Sequence, residues 1–329
     1  MKKLIALLLA LTMVFALCAC GASETAAPAD DAAAAPAAEG EKLTIAFSTI
    51  AYSIAVLPQY LIDQLDALCG AEGWEFVMLA AEGDAELQGQ QVSTLISKQP
   101  DYLVLFPADP MLAIDWCAEA EAAGIPTIAV HVDVDESCHG TSCDAYCGID
   151  NEAVATAIHD YMVEKNPDGA NIVEIGGVPV QADYIVRTGT FNGLLSDNYK
   201  QLGEIGWAYS SRADAQGFME NFIGSYGDDI DVLVGFDDDL TLGGVNALQE
   251  RGMTDVQVYS ITGQKEAMQA IKDGKMTMTV FTSMAKEAEK VVETIKALEA
   301  GQTVDYFQYI ETPVVDASNV DQYADQAEF

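Results

Sequence analysis

From Lys42 onward the chain alternates short apolar runs with longer segments in which apolar residues recur every three or four positions. Leu43–Phe47, Trp74–Leu79, Tyr102–Phe106 and Pro126–Val132 read as strands, and Leu57–Leu68, Leu87–Ser97 and Met111–Ala123 between them read as helices. Pro100 stops the second helix, Gly124 ends the third, and Pro107 and Pro110 follow the third strand. The pattern then restarts. Helices are predicted at Asn151–Val163, Arg187–Leu195, Ala213–Ile223, Leu240–Glu250, Lys265–Lys272 and Lys286–Leu298. Strands alternate with them at Asn171–Ile175, Gly203–Trp207, Val232–Phe236, Val256–Ile261 and Met276–Phe281. Short apolar strands separated by amphipathic helices build parallel sheets covered on both faces. The expected class is α/β, with two doubly wound parallel-sheet lobes and no long linker between them.

Ahead of Lys42 the pattern differs. Lys2 and Lys3 precede an apolar run from Leu4 to Leu17, and Leu17-Cys18-Ala19-Cys20-Gly21 follows. A basic start, a short apolar stretch and small residues at a processing site make a secretory signal over residues 1–19. The run falls short of the ~20 residues a membrane span needs. Cys20 after small residues resembles the lipobox of bacterial lipoproteins. That resemblance implies cleavage before Cys20, lipidation of its thiol, and an extracytoplasmic protein anchored to the cell membrane; the alternative is a secreted protein cut a few residues later. Residues 20–41, rich in Ala, Pro and acidic side chains, have too little apolar surface to offset ordering entropy and read as a disordered tether.

Charge narrows the partners. The 329 residues carry a formal net charge of −37, near −39 once Lys2 and Lys3 leave with the signal. Such a chain repels nucleic acid and anionic headgroups, so membrane contact is expected only through the lipid. Enzyme motifs are missing: no Gly-x-Ser-x-Gly elbow, no His-Glu-x-x-His and no phosphate loop occur. No cofactor is expected, and His159, within a helix, reads as structural.

Two α/β halves behind an export signal resemble the type I periplasmic sugar-binding proteins, the ribose- and galactose-binding family. Leu43–Thr49, Leu103–Pro110, Arg187–Phe191, Leu233–Leu248 and Lys265–Met276 carry the resemblance. It implies three crossovers, near Cys147–Asn151, Thr282–Ser283 and Glu311–Pro313. The N-terminal lobe is then 42–148 plus 283–311, and the C-terminal lobe 149–282 plus 312–329. It further implies a monomer that captures a small polar solute, a sugar or sugar derivative, between its lobes and delivers it to an ABC permease and its ATPase. The same fold also serves receptors that present a solute to a sensor kinase or chemoreceptor.

The resemblance assigns ligand contacts residue by residue. Arg187 matches an arginine at a helix start that binds sugar hydroxyls; its fixed donors suit paired hydroxyls or a carboxylate, and the alternative is a surface ion pair. Asp237 ends a strand where the family has a polar ligand contact, unless it caps the helix after it. Arg212 stands where ribose-type proteins place an aromatic, and Arg251 reads as a solvated cap. In the first lobe the loop Ser48–Tyr52 follows strand one, where the family has polar and aromatic contacts; Tyr52 is equally readable as core. The family's Asp-Arg after strand four becomes His131-Val132-Asp133, with His131 or Asp133 as substitutes. Its Phe-Asp becomes Ile261-Thr262, and its hinge glutamine becomes Thr282. These departures leave open a neutral sugar, a sugar acid, a phosphorylated sugar or another polar metabolite.

Cysteines add a separate question. Cys69 and Cys117 lie at helix positions and read as packed thiols. Cys138, Cys143 and Cys147 crowd before the first crossover. Outside the membrane a disulfide among these three is expected. His139 beside Cys138 keeps a zinc site open as the alternative, and with it a metal- or redox-linked surface protein.

Overall fold

The computed structural model describes residues 42–329, apart from 180 and 210. The export signal, Cys20 and the tether lie outside the described residues.

The first sheet contains β1 (Thr44–Thr49), β2 (Glu75–Ala80), β3 (Tyr102–Phe106), β4 (Thr127–Val130), β5 (Ala145–Gly148) and β12 (Phe307–Tyr309). Its order is β12-β5-β4-β3-β1-β2 and every pairing is parallel. Helices α1 (Val56–Ala71), α2 (Ala85–Ser97), α3 (Ala113–Ala123) and α9 (Met284–Glu299) cover it. The alternation along β1 shows how: Ile45 and Phe47 pack with Leu61, Leu65 and Ile295, whereas Ala46 packs with Val92, Leu95 and Trp116 on the other face. Burial on both faces explains why the strands read as continuous apolar runs.

The second sheet is ordered β13-β11-β10-β9-β6-β7, with β8 also on β6. It holds β6 (Ala170–Gly176), β7 (Tyr199–Gln201), β8 (Gly206–Trp207), β9 (Val232–Gly235), β10 (Gln257–Thr262), β11 (Met278–Phe281) and β13 (Val314–Asp316). All pair in parallel except β13, which runs antiparallel to β11. Its helices are α4 (Asn151–Lys165), α5 (Ala182–Leu194), α6 (Arg212–Tyr226), α7 (Asp238–Arg251), α8 (Lys265–Lys272) and α10 (Val320–Tyr323). The chain therefore passes between sheets after Gly148, between Phe281 and Met284, and between Tyr309 and Val314.

Local chemistry sets the boundaries. Asp84, Asp150, Ser211, Asp237 and Ser283 each accept a backbone N–H as N-caps. Gly124 and Gly252 end α3 and α7 at φ 74° and 70°. Three expectations change. The helix predicted from Arg187 starts at Ala182, which places Arg187 inside it, and Arg212 opens α6, one residue ahead of the predicted start. Of the strand predicted over Gly203–Trp207 only the last two residues pair, as β8, while β7 forms ahead of it; β5, β7, β12 and β13 are too short to stand out by periodicity.

Candidate ligand-binding cleft

The carboxyl ends of the strands in both sheets face a shared space, the place where open α/β sheets bind ligands. Two cavities lie there. One, of about 380 Å³, is lined by His131, Asp133, Tyr146, Asn151, Asp183 and Tyr309, among others. The other, of about 470 Å³, is lined by Val56, Leu57, Tyr184, Tyr209, Asp237 and Phe329, among others. Helix α5 contributes to both: Asp183 and Val186 to the first, Tyr184 to the second.

Arg187 lies on that helix and is 7% exposed. Its Nε donates to Asn151 Oδ1 at 2.7 Å and its Nη1 to the Phe236 carbonyl at 3.0 Å. Asp183 Oδ2 is 3.5 Å from Nη1, one helical turn away. The guanidinium thus ties α5 to the first crossover and to the end of β9, and the surface ion pair is not its role. Asp183 Oδ1 is buried and has no hydrogen-bond partner among the described residues. A buried acceptor of this kind costs about 1–3 kcal/mol until a donor reaches it.

From the first sheet, His131 enters at φ 64° with its ring against Phe106, centroids 5.0 Å apart. Nδ1 lies 3.1 Å from Oε2 of Glu287, which is fully buried at the start of α9. Burial lowers the imidazole's pKa, but the Glu287 carboxylate outweighs it and the net shift is upward. Asp133 accepts from the Tyr306 hydroxyl at 2.6 Å, and His139 Nε2 lies 3.2 Å from its other oxygen. Burial nevertheless raises the Asp133 carboxyl above its usual range.

Asp237 combines the two roles sequence reasoning set against each other. Its Oδ1 caps α7 through the N–H groups of Asp239 and Leu240, while the residue also lines the second cavity. Burial raises its pKa despite those bonds. Beside it, Asp238 is wholly interior and accepts from the N–H groups of Gly263 and Gln264 and from Thr279 Oγ1.

At the second crossover the Thr262 carbonyl accepts from the backbone and hydroxyl of Thr282. The tail returns here as well, with Glu328 accepting from Ser283 Oγ and from the N–H groups of Met284 and Ala285 at the start of α9. Thr262 has φ 129°, a strained conformation for a β-branched residue. Thr262→Gly is expected to release that strain and raise Tm by about 2–4 °C, for a net gain of about 1 kcal/mol. Thermal unfolding checks it, and an unchanged or lower Tm refutes the strain.

Three expected contacts sit elsewhere. Ser48 is fully buried against Gln88 Nε2, because alternation along β1 turns it into the sheet's helical cover. Tyr52 packs partly into the core and donates to Asp63 Oδ1 at 2.8 Å. Arg212 pairs with Asp239 and with Glu266, the latter at 2.8 Å, so its guanidinium is neutralised by surface carboxylates. The cysteine grouping is also corrected. Cys147 points to the face of β5 covered by α9, its Sγ 3.4 Å from Thr294 Oγ1, whereas Cys138 and Cys143 pack on the opposite face with Cys117. All five described cysteines are free thiols. Asp183, Asn151, Glu287, Tyr184 and Tyr309 were missed by sequence reasoning. Among them Asn151 carried a signal, being a polar residue just after the first crossover.

The chain resembles known proteins across its whole folded part. The periplasmic binding protein domain model matches residues 45–303. A xylitol-binding protein of Mycolicibacterium smegmatis is 25% identical over 93% of this chain and 83% of its own length. A D-xylose-binding periplasmic protein of Haemophilus influenzae is 29% identical over 70% and 69%. Among solved structures, an ABC transporter solute binding protein from Mycobacterium smegmatis with bound glycerol is 29% identical, covering 88% of this chain and 99% of that one at a TM-score of 0.76. With two parallel sheets flanking a polar cleft and a family match over most of its length, the chain belongs to the periplasmic binding protein family, whose members bind solutes rather than transform them.

Proposed function

We propose that this protein is a lipid-anchored, monomeric solute-binding component of an ABC importer whose ligand is a neutral sugar or polyol. Closure of the two lobes over the ligand is the mechanism. A ligand that touches both lobes stabilises the closed state by its differential affinity, and the closed form docks on the permease. Cys20 is the proposed anchor and residues 20–41 the tether.

The observation that carries the ligand class is the balance of charge in the cleft. Asp133, Asp150, Glu152 and Asp183 line one cavity and Asp237 and Asp239 the other, against His131 alone among the lining cations. Arg187 is already engaged by Asn151, Phe236 and Asp183. A sugar acid or phosphorylated sugar would meet like charge, whereas hydroxyls donate to carboxylates at little cost. Asp183 Oδ1 is an acceptor awaiting such a donor. In this reading Arg187, Asp183 and Asp237 serve the ligand from the second lobe and His131 and Asp133 from the first, with Thr262 and Thr282 at the crossover. The relatives named for xylitol and D-xylose agree with the class.

The test is a thermal-shift panel of pentoses, hexoses, polyols, sugar acids and sugar phosphates on the purified protein. A neutral ligand at a hundredfold excess over its Kd is expected to add about 2.7 kcal/mol, raising Tm by about 5–10 °C. A shift confined to the acids or phosphates overturns the proposed class. Co-purification with a permease and ATPase, as against a sensor kinase, tests the transport role.

A further inference from the structure

Ala327, Glu328 and Phe329 are consecutive, yet each is held by a different part of the molecule. Ala327 is 6% exposed and belongs to the second lobe's core cluster with Met268 and Phe281. Glu328 reaches the second crossover: its Oε1 accepts from Ser283 Oγ at 2.5 Å and from Ala285 N at 3.0 Å, and its Oε2 from Met284 N at 2.8 Å. Ser283 Oγ accepts from Lys286 N at 3.1 Å, so cap and carboxylate together satisfy three N–H groups at the start of α9 that have no partner within the helix. Phe329 is bound on both sides of the cleft. Its carbonyl accepts from Lys265 N at 2.8 Å, where α8 of the second lobe begins. Its ring packs against the first lobe's core, as Leu57 and Tyr60 of α1 do, and lies 6.2 Å from the Tyr60 centroid with the planes at 69°. The residue also lines the cavity of about 470 Å³, along with Val56 of the first lobe and Tyr184 and Asp237 of the second.

We propose that Phe329 is a positioning residue for ligand capture: with its backbone fixed to the second lobe and its ring to the first, it straps the lobes together at the spacing that encloses this cavity. The inference rests on the lobe closure proposed above. It is independent of which solute the cleft takes.

Crossovers act as hinges: a few residues absorb the change in φ and ψ, and they leave the angle between the lobes to contacts across the cleft. Opening the cleft carries α8 away from α1. A single residue spans that gap, so it has no slack to follow the movement. Either the Lys265 N–H leaves the Phe329 carbonyl, or the ring leaves Tyr60 for water. Glu328 prevents the segment from sliding, because three donors at the second crossover hold its carboxylate. The open state therefore lacks a hydrogen bond or an aromatic contact that the closed state keeps. The expected bias is about tenfold in the ratio of closed to open, equivalent to about 1.4 kcal/mol. A ligand that needs the closed state gains apparent affinity by the same factor when the closed state is the minor one.

The purified protein, F329A and F329Y are compared without ligand by small-angle scattering and by hydrogen exchange. F329A is expected to have a larger radius of gyration than wild type. Its amides at Lys265, Met284 and Ala285 should exchange about tenfold faster, since the strap is what protects them. F329Y keeps the ring and should match wild type in both readings. Glu328→Ala, which frees the segment from α9 with the ring intact, should expand the ligand-free protein in the same direction. Adding the pentoses, hexoses and polyols of the thermal-shift panel should contract F329A to the wild-type radius, because a bound ligand then links the lobes in place of the strap. An unexpanded F329A overturns the proposal; if the panel still contracts wild type, lobe closure stands without the strap. Faster exchange with an unchanged radius marks a contact that only stabilises the fold and overturns it equally. An expanded F329A that no panel compound contracts supports the strap and counts against the ligand class alone.

Discussion

Arg187→Ala is expected to lower Tm by roughly 6–20 °C and to abolish the stabilisation by neutral polyols. The arginine is buried and bonds three groups at once: Asn151 Oδ1, the Phe236 carbonyl and the Asp183 carboxylate. Truncating it leaves a buried carbonyl without its donor and a nearly buried carboxylate without its counter-charge. Removing one partner of a buried pair costs about 3–5 kcal/mol, more than the pair is worth, because the remaining charge stays desolvated. In a domain of this size each kcal/mol moves Tm by about 2–4 °C. Arg187→Lys separates the contributions. A single ammonium answers Asp183 but cannot also serve Asn151 and Phe236 in their fixed directions, so the lysine variant should recover stability only in part. Thermal unfolding of both variants, with and without a polyol at saturation, makes the measurement. An alanine variant within a degree or two of wild type, still responding to ligand, refutes the central place given to Arg187.

How much of this was legible beforehand follows from which contacts are local. Strands such as Tyr102–Phe106 and helices such as Lys265–Lys272 appear where the apolar period places them, because burial on both faces writes a continuous run and burial on one face writes a helical one. Three-residue strands such as β12 and β13 exist only because a long neighbour pairs with them, and no local signal marks them. The same divide runs through the cleft. Asp237 was visible because it ends a strand. Ser48 and Tyr52 share the first loop region, yet strand alternation turns one inward and Asp63 draws away the other's hydroxyl. Arg212 looked free for a ligand only because Asp239 and Glu266 are 27 and 54 positions away along the chain. For Cys147 the difference of four positions from Cys143 concealed a whole sheet between them, whereas Cys117, farther off in sequence, belongs to the same buried cluster as Cys143.

Glu174→Gln is expected to stabilise the protein at pH 8 and to do little at pH 4.5. Glu174 lies on β6 beneath α5 and is 1% exposed. One oxygen accepts from Asn192 Nδ2 at 3.1 Å, and the other has no partner among the described residues. Burial raises its pKa from 4.5 to about 7, opposed only by the Asn192 bond. For an acid shifted upward, the folded protein keeps a proton that the unfolded chain has already released. Stability therefore falls as pH rises through the window from about 4.5 to about 7, and the full cost is carried above it. A shift of this size corresponds to something on the order of 3 kcal/mol. Glutamine keeps an acceptor for Asn192 and has no charge to desolvate, so the variant should gain about 5–10 °C in Tm over wild type at pH 8 and almost nothing at pH 4.5. Reading the difference between the two proteins at each pH cancels the titrations they share. One of those is Asp238, whose pKa burial also raises to about 7 and which should keep part of the decline in both. A gain of equal size at both pH values would point to packing in place of ionisation. A loss at pH 8 would show that the carboxylate, charged as it is, holds α5 and the arginine it carries against the sheet.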